Sequence, residues 1–283
     1  APQRGRWGGG GGGGAASPAL SCLGGGDEGG EGECEEACGG EAEAEGPAAF
    51  AETLVSMVPL LRGMSRRAAS PFSGPAGRCL RSALAVLVNV TNEDEAGQAR
   101  CARAGCLEAC AALVAELAPL ASSPAPPVAE INTALCVLVN LVEGSGRNAA
   151  RLAAAPLPGG GAVLPTLCDL FCAARRMAGD APGRAGDHND GSSVNVTADT
   201  IAEGERVQHG LLMEAYPALL LACLCRAGGE AARRDAAGRL PGGSLQAVGS
   251  VLRRFYDFSV RAGHLGARAT ERLLGVVRAV EEA

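Results

Sequence analysis

The 283-residue chain contains no lysine: all 25 of its basic positions are arginine. With 42 glycines and abundant alanine beside it, that usage is a mark of GC-rich coding rather than of a functional device. Aromatic residues are scarce too, 3% of the chain against 47% hydrophobic residues, so a core has to be built from Leu, Val and Ala. Small aliphatic side chains suit close helix–helix packing, whereas sheets favour aromatic and β-branched residues. No segment alternates apolar and polar residues between hairpin turns, which speaks against an all-β fold. The net charge is -6 with no basic stripe, which speaks against direct nucleic-acid binding. No apolar run approaches the ~20 residues that span a bilayer, so no membrane partner is expected.

Twelve cysteines are present. Cys79, Cys101, Cys106, Cys110, Cys136, Cys168, Cys172, Cys223 and Cys225 sit inside apolar helical patterns, where a free thiol acts as a small buried hydrophobe. A reducing compartment is therefore expected, and the sequons at Asn89 and Asn195 are read as chance matches. Cys34/Cys38, Cys106/Cys110, Cys168/Cys172 and Cys223/Cys225 could be metal pairs. Their spacings fit one helix face, however, and His188, His209 and His264 fall in no ligand pattern, so core packing is preferred and no metal or cofactor is implied. There is no Gly-x-Ser-x-Gly elbow, and the glycine run lacks the Lys-Ser/Thr ending of a phosphate loop, so no enzyme is indicated.

Residues 1–48 are low in complexity, a glycine run followed by the acidic "GDEGGEGECEEACGGEAEAEG". Such a segment buries too little apolar surface to offset its chain entropy and is expected to be disordered. Residues 49–283 are expected to form one helical domain. Helical spacing begins at "FAETLVSMVPLLRGMSRR", where Phe50, Leu54, Met57, Val58 and Leu61 recur. Similar patterns follow at "GCLEACAALVAELAPLA", "AVLPTLCDLFCAARRM", "SLQAVGSVLRRFYDFSV" and "ARATERLLGVVRAVEE". Residues 178–205 have no period and many turn formers, and are expected to be a disordered insertion.

Three phrases repeat: "ALAVLVNVT", "ALCVLVNLV" and "ALLLACLCR" start at positions 83, 134 and 218. The first spacing is close to the ~40–47 residues of HEAT or armadillo units with a lengthened loop. The second is longer by the insertion. Single units of this kind cannot bury their apolar faces alone, so neighbours stack. The expected fold is all-α, a HEAT/armadillo-like helical-repeat solenoid. Two phrases hold an amide inside the apolar face, Asn89 and Asn140. An unpaired buried amide is costly, so each is expected to bond backbone of the adjacent repeat or of its own helix end. Leu224 stands at the third position.

Polar turns follow the first two phrases. In "TNEDE", Asn92 can cap the next helix, and Glu93, Asp94 and Glu95 can present an acidic edge to a basic partner. In "EGSGRN", Glu143, Arg147 and Asn148 occupy the equivalent end of the next unit, so both turns should line one edge. Arg147 can make a bidentate carboxylate contact or tie the two turns together. In "RRFYDF", Phe255 and Phe258 share a face and Tyr256 turns away; core packing is preferred for Tyr256 over a role as an exposed anchor.

"VLVNVTNEDEAG" (86–97), "GCLEACAALVAELAPL" (105–120), "ALCVLVNLVEGSGRN" (134–148), "AVLPTLCDLFCAARR" (162–176) and "YPALLLACLCR" (216–226) resemble, in order, the C-terminal cohesin-release domain of the wings apart-like (Wapl) family. The resemblance covers roughly residues 78–283, most of the patterned chain. It implies a helical, non-catalytic nuclear protein that binds cohesin subunits and a cohesin-associated HEAT-repeat regulator. On that reading Asn92, Glu93, Asp94, Glu95, Glu143, Arg147 and Asn148 are the candidate partner-binding residues. The chain departs from the family where Ala96-Gly97 replaces its Trp-Gly, and where arginine must serve for the lysines of relatives. It opens at Ala1 and is expected to be part of a longer protein.

Overall fold

The computed structural model describes residues 45–66, 72, 74–123, 126–179, 198–263 and 266–282. Among the described residues the chain forms ten α-helices, two short 3-10 turns and no strand. The helices are α1 (Glu45–Arg66), α2 (Pro75–Thr91), α3 (Glu95–Arg103), α4 (Cys106–Leu117), α5 (Val128–Val142), α6 (Gly146–Ala153), α7 (Val163–Gly179), α8 (Ala198–Arg239), α9 (Gln246–Arg261) and α10 (Ala267–Glu281). The fold is all-α.

Why these segments are helices follows from their patterns. Pro75 opens α2, where a missing N–H costs nothing, and Leu80, Leu84, Leu87, Val88 and Thr91 form its buried stripe. In α5, by contrast, every residue from Glu130 to Val142 except Thr133 is buried. Residues 212–225 of α8 are buried without exception. Helices enclosed on all sides lose the 3.6-residue period and read as continuous apolar runs.

α1 packs on α2, α2 on α5, α5 on α8, α8 on α9 and α9 on α10, a continuous row. α3 lies against α1 and α2, α4 against α5, and α6 and α7 against α8, forming a second layer. Each helix of the row buries its apolar face on the next, as in a solenoid. The 42-residue α8 breaks at Gly229, which has φ 61 and ψ -151. That break stands eleven positions after the start of the third phrase. Asp94 and Ser145, the N-caps of α3 and α6, stand at the same offset from the first and second.

Several expectations change. Positions 178 and 179 close α7 and positions 198–205 open α8, so the irregular insertion is shorter than its composition suggested. The rest of it lies outside the described residues, as do positions 1–44. Positions 45–48 already belong to α1. Within α8, Gly210–Arg239 is long and apolar enough by length and composition to cross a membrane, but 78% of its most apolar window is buried in the protein. It is the core helix of the stack. Glu214 and Arg226 bracket its strictly apolar part, which is why the sequence does not display it as a span. Tyr256 packs against the core beside Phe258, while the buried rings of Tyr216 and Phe255 meet edge-on at 6.3 Å.

Cys101, Cys106, Cys110, Cys168, Cys223 and Cys225 are buried free thiols. Cys79 is exposed because it falls beside the buried stripe of α2, and Cys172 is half-buried. Cys136 differs from expectation: it is buried but disulfide-bonded. Burial pushes the thiols of Cys168 and Cys223 up to about 12, and those of Cys101 and Cys225 to about 11. Protonated, enclosed thiols react slowly. A maleimide pulse on the native protein, mapped by peptide mass spectrometry, should label Cys79 and spare Cys168 and Cys223 until denaturant is added. Prompt labelling of Cys223 in the native state would show that α8 opens without global unfolding.

Candidate functional site

The C-terminal ends of α2 and α5 meet because the two helices pack together, and their polar turns stand side by side. Leaving α2, the chain reverses over Glu93, which is held at φ 53. That left-handed conformation is uncommon for a residue with a β-carbon. Asp94 then opens α3, its Oδ1 accepting the Ala96 N–H at 3.0 Å, and Arg100 lies 3.5 Å from its other oxygen. Gln98 donates back to the Thr91 carbonyl at 2.9 Å. Gly97 lies so close to the Val90 carbonyl that any β-carbon would collide with it. Asn92, expected to cap α3, instead terminates α2. The reversal over Glu93 moves the capping position to 94.

The second turn uses the same device. Ser145 Oγ accepts the Asn148 N–H at 3.2 Å, and Asn148 Nδ2 donates to the Leu141 carbonyl at 2.8 Å. In both turns a short side chain caps the new helix. An amide from its first turn then reaches seven residues back to the end of the old one.

Asn140 ties the two units. It is 7% exposed and donates to the Val88 carbonyl at 3.4 Å and to Thr91 Oγ1 at 3.2 Å. The Thr91 hydroxyl donates in turn to the Leu87 carbonyl at 2.7 Å. Asn89, expected to act alike, is exposed. Its helix has an outer face and Asn89 lies on it, whereas α5 has almost none. In the third phrase, where Leu224 offers no polar group, Arg226 takes over by donating to the Glu143 carbonyl at 2.8 Å.

Arg272 of α10 spans both turns. Its Nη2 lies 3.3 Å from Glu93 Oε1 and its Nε 3.7 Å from Glu143 Oε1. Burial raises the pKa of Glu143; Arg272 and then Arg226 oppose that rise, and Glu93 adds to it. Arg147 is exposed and makes no ion pair or hydrogen bond among the described residues, so the tie it could have supplied comes from Arg272. No spacing rule connects "TERLLG" with a turn 179 positions earlier; Arg272 and Arg226 carried no signal in the sequence. Glu95 is exposed in the first turn of α3, where a carboxylate meets the positive end of the helix dipole.

Among the described residues no group of three or more His, Cys, Asp or Glu is placed to share a metal ion. The edge offers charges and amides suited to recognition. Fold and edge together define an all-α stack whose polar helix turns are gathered along one side. No family model matches the chain. It is similar to Wings apart-like protein 2 of Arabidopsis thaliana, 29% identical over 211 residues, and to Wings apart-like protein 1 of the same organism, 26% identical over 230 residues. These matches take in 64% and 70% of this chain and 24% of each relative. The chain thus spans about a quarter of the length of the curated relatives it matches. The likeness is distant, and it supports a relationship to the Wings apart-like proteins.

Two outcomes follow from the geometry. Asn140→Leu strips the donor from Thr91 and the Val88 carbonyl and should cost about 1–3 kcal/mol, seen as a lower melting temperature. A variant that melts at or above the parent would remove the amide from the packing scheme. The second outcome concerns Glu143. A carboxyl whose folded pKa is raised favours folding most when protonated, and that benefit declines as pH climbs from the ordinary carboxylate value through the raised one. Removing Arg272 raises Glu143 further and steepens the decline. Arg272→Ala should therefore cost about 1–2 kcal/mol near neutral pH, less than a fully buried pair because Arg272 is one-third exposed. Urea titrations at about pH 7.5 and about pH 5 should give the smaller loss in acid; equal losses mean that Glu143 does not feel Arg272.

Proposed function

We propose that the chain is a non-catalytic regulator that binds the cohesin complex and promotes its release from chromatin, acting in the nucleus. The observation that carries this reading is the similarity to two Wings apart-like proteins across roughly two thirds of the chain. The all-α stack supports it, since stacked helices present extended surfaces to protein partners. Residues 49–283 form the binding unit in this proposal, and its partners are cohesin subunits and a cohesin-associated HEAT-repeat regulator. The contact edge is the pair of turns at Asn92–Glu95 and Glu143–Asn148.

Within that edge the groups divide by their existing bonds. Glu93 and Glu143 face Arg272, Asp94 caps α3, and Asn148 closes α5. Glu95 and Arg147 are exposed, and Arg147 is free to meet a carboxylate of the partner. Combining Glu95→Arg with Arg147→Glu reverses two exposed charges of the edge while keeping Glu93, Asp94, Glu143 and Asn148. In a pull-down with purified cohesin the double variant should lose about tenfold in affinity, or about 1.4 kcal/mol. Its helicity should be unchanged, since surface charge changes cost within about 0.5 kcal/mol. Equal recovery by two equally helical proteins removes this edge from the interface. Failure of the parent protein to recover cohesin removes the cohesin reading itself.

A further inference from the structure

The part of α8 beyond its break, the turn Pro241–Gly243 and the facing ends of α9 and α10 enclose an open groove of about 820 Å³. Its charged lining is Arg233, Arg234, Arg253 and Arg254 against Glu230 and Glu281. Arg253 holds Glu281 through two N–H donors at 3.2 and 2.6 Å, and Arg234 lies 3.6 Å from Glu230. Arg254 pairs at 2.7 Å with Glu214, a fully buried carboxylate behind the groove, and its own side chain stays 43% exposed. Arg233 makes no ion pair or hydrogen bond among the described residues. With Glu214 counted, four guanidiniums meet three carboxylates, and the guanidinium left over is Arg233, in a chain whose net charge is -6. Guanidinium groups gathered in this way bind carboxylates bidentately.

A ligand of that chemistry lies in the chain itself. From Asp27 to Glu45 there are nine acidic residues and no basic one. Glu45 begins α1. α1 and α2 are joined by a short connection and packed together, so the start of α1 lies toward the end of α2, where Arg272 reaches across from α10. From Arg272 to Glu281 at the groove is a further nine residues of helix, roughly 14 Å. Eighteen residues of extended chain reach roughly 60 Å, enough to cross neighbouring helices spaced roughly 10 Å apart.

We propose that the acidic segment, residues 27–43, docks in the arginine groove of its own chain. Its carboxylates take Arg233 and the outer sides of Arg234 and Arg254, and while docked it excludes other acidic peptides. The occupancy is electrostatic and weakens with salt. This proposal stands apart from the cohesin reading, and the experiment contains no cohesin.

The probe is a fluorescent peptide with the sequence of residues 26–46, added at low salt to three forms of the full chain. The first is the parent. In the second, the eight acidic positions from 27 to 43 are changed to Gln or Asn, which leaves Glu45 in α1 untouched. The third adds Arg233→Glu and Arg234→Glu to the second. The second form should bind the peptide at least about tenfold more tightly than the parent, because its groove has been vacated. The third should lose that binding. If the second form binds no tighter than the parent, or if the arginine changes leave its binding intact, the proposal is overturned. Should circular dichroism show the charge reversal to be misfolded, Arg233→Gln with Arg234→Gln supplies the same comparison.

Discussion

A helix enclosed on every side has no water for the carbonyls of its last turn. The rest of this structure depends on answering them. α5 and α8 carry the apolar area of the core, and the last turns of α2 and α5 are buried where those helices pack together. The ends of α2 and α5 are met by side chains from other elements: Gln98 and Asn140 donate to main-chain oxygens at the end of α2, and Asn148 and Arg226 to those at the end of α5. Arg151 does the same for the Ala102 carbonyl at 2.7 Å while holding Glu108 with two further N–H groups. At the opposite edge Arg81 donates to the Phe72 carbonyl at 2.8 Å and to Glu130 at 2.6 Å. A buried group left unanswered costs about 1–3 kcal/mol, so a few wrong residues at these joints would outweigh much of a marginal stability.

The missing lysines acquire a physical sense here. Arg81 and Arg151 each donate to a main-chain carbonyl and a carboxylate, and Arg272 lies between two carboxylates. A planar fork of five donors does this with one side chain, whereas an ammonium is a single strongly hydrated point. Whatever set the codon usage, the residue it favours suits joints between closely packed helices.

Apolar patterning was enough to read the all-α class and the longer apolar helices, but not the short α3 and α6, whose mean composition is polar, nor the full length of α8. The amide at Asn140 was legible as well, because a polar group in an apolar run must find a partner. Its twin was not: Asn89 stands in nearly the same words, but its exposure is decided by whether the helix has an outer face. That property belongs to the stack and not to the phrase. Arg272 was invisible for a different reason, since the folded chain alone brings α10 to the turn at Glu93. The helical start of α8 at positions 198–205 lacks a period of its own; it continues a helix whose later residues are held by packing, and propagation is easier than nucleation. Gly97 also becomes intelligible, since the Val90 carbonyl leaves no room there for a side chain.

The reach of Arg272 to both turns has a further meaning. An open stack of helices can vary its curvature, and the spacing of successive turns would vary with it. Here the last helix grips the turns after α2 and α5 together, while Asn140 pins one helix end to the other. These contacts link the two turns to each other directly. A partner that touches both meets groups whose relative position was settled when the protein folded, so the ordering cost of association, about 0.5–1.5 kcal/mol for each side chain that would otherwise be immobilised, has largely been met in advance.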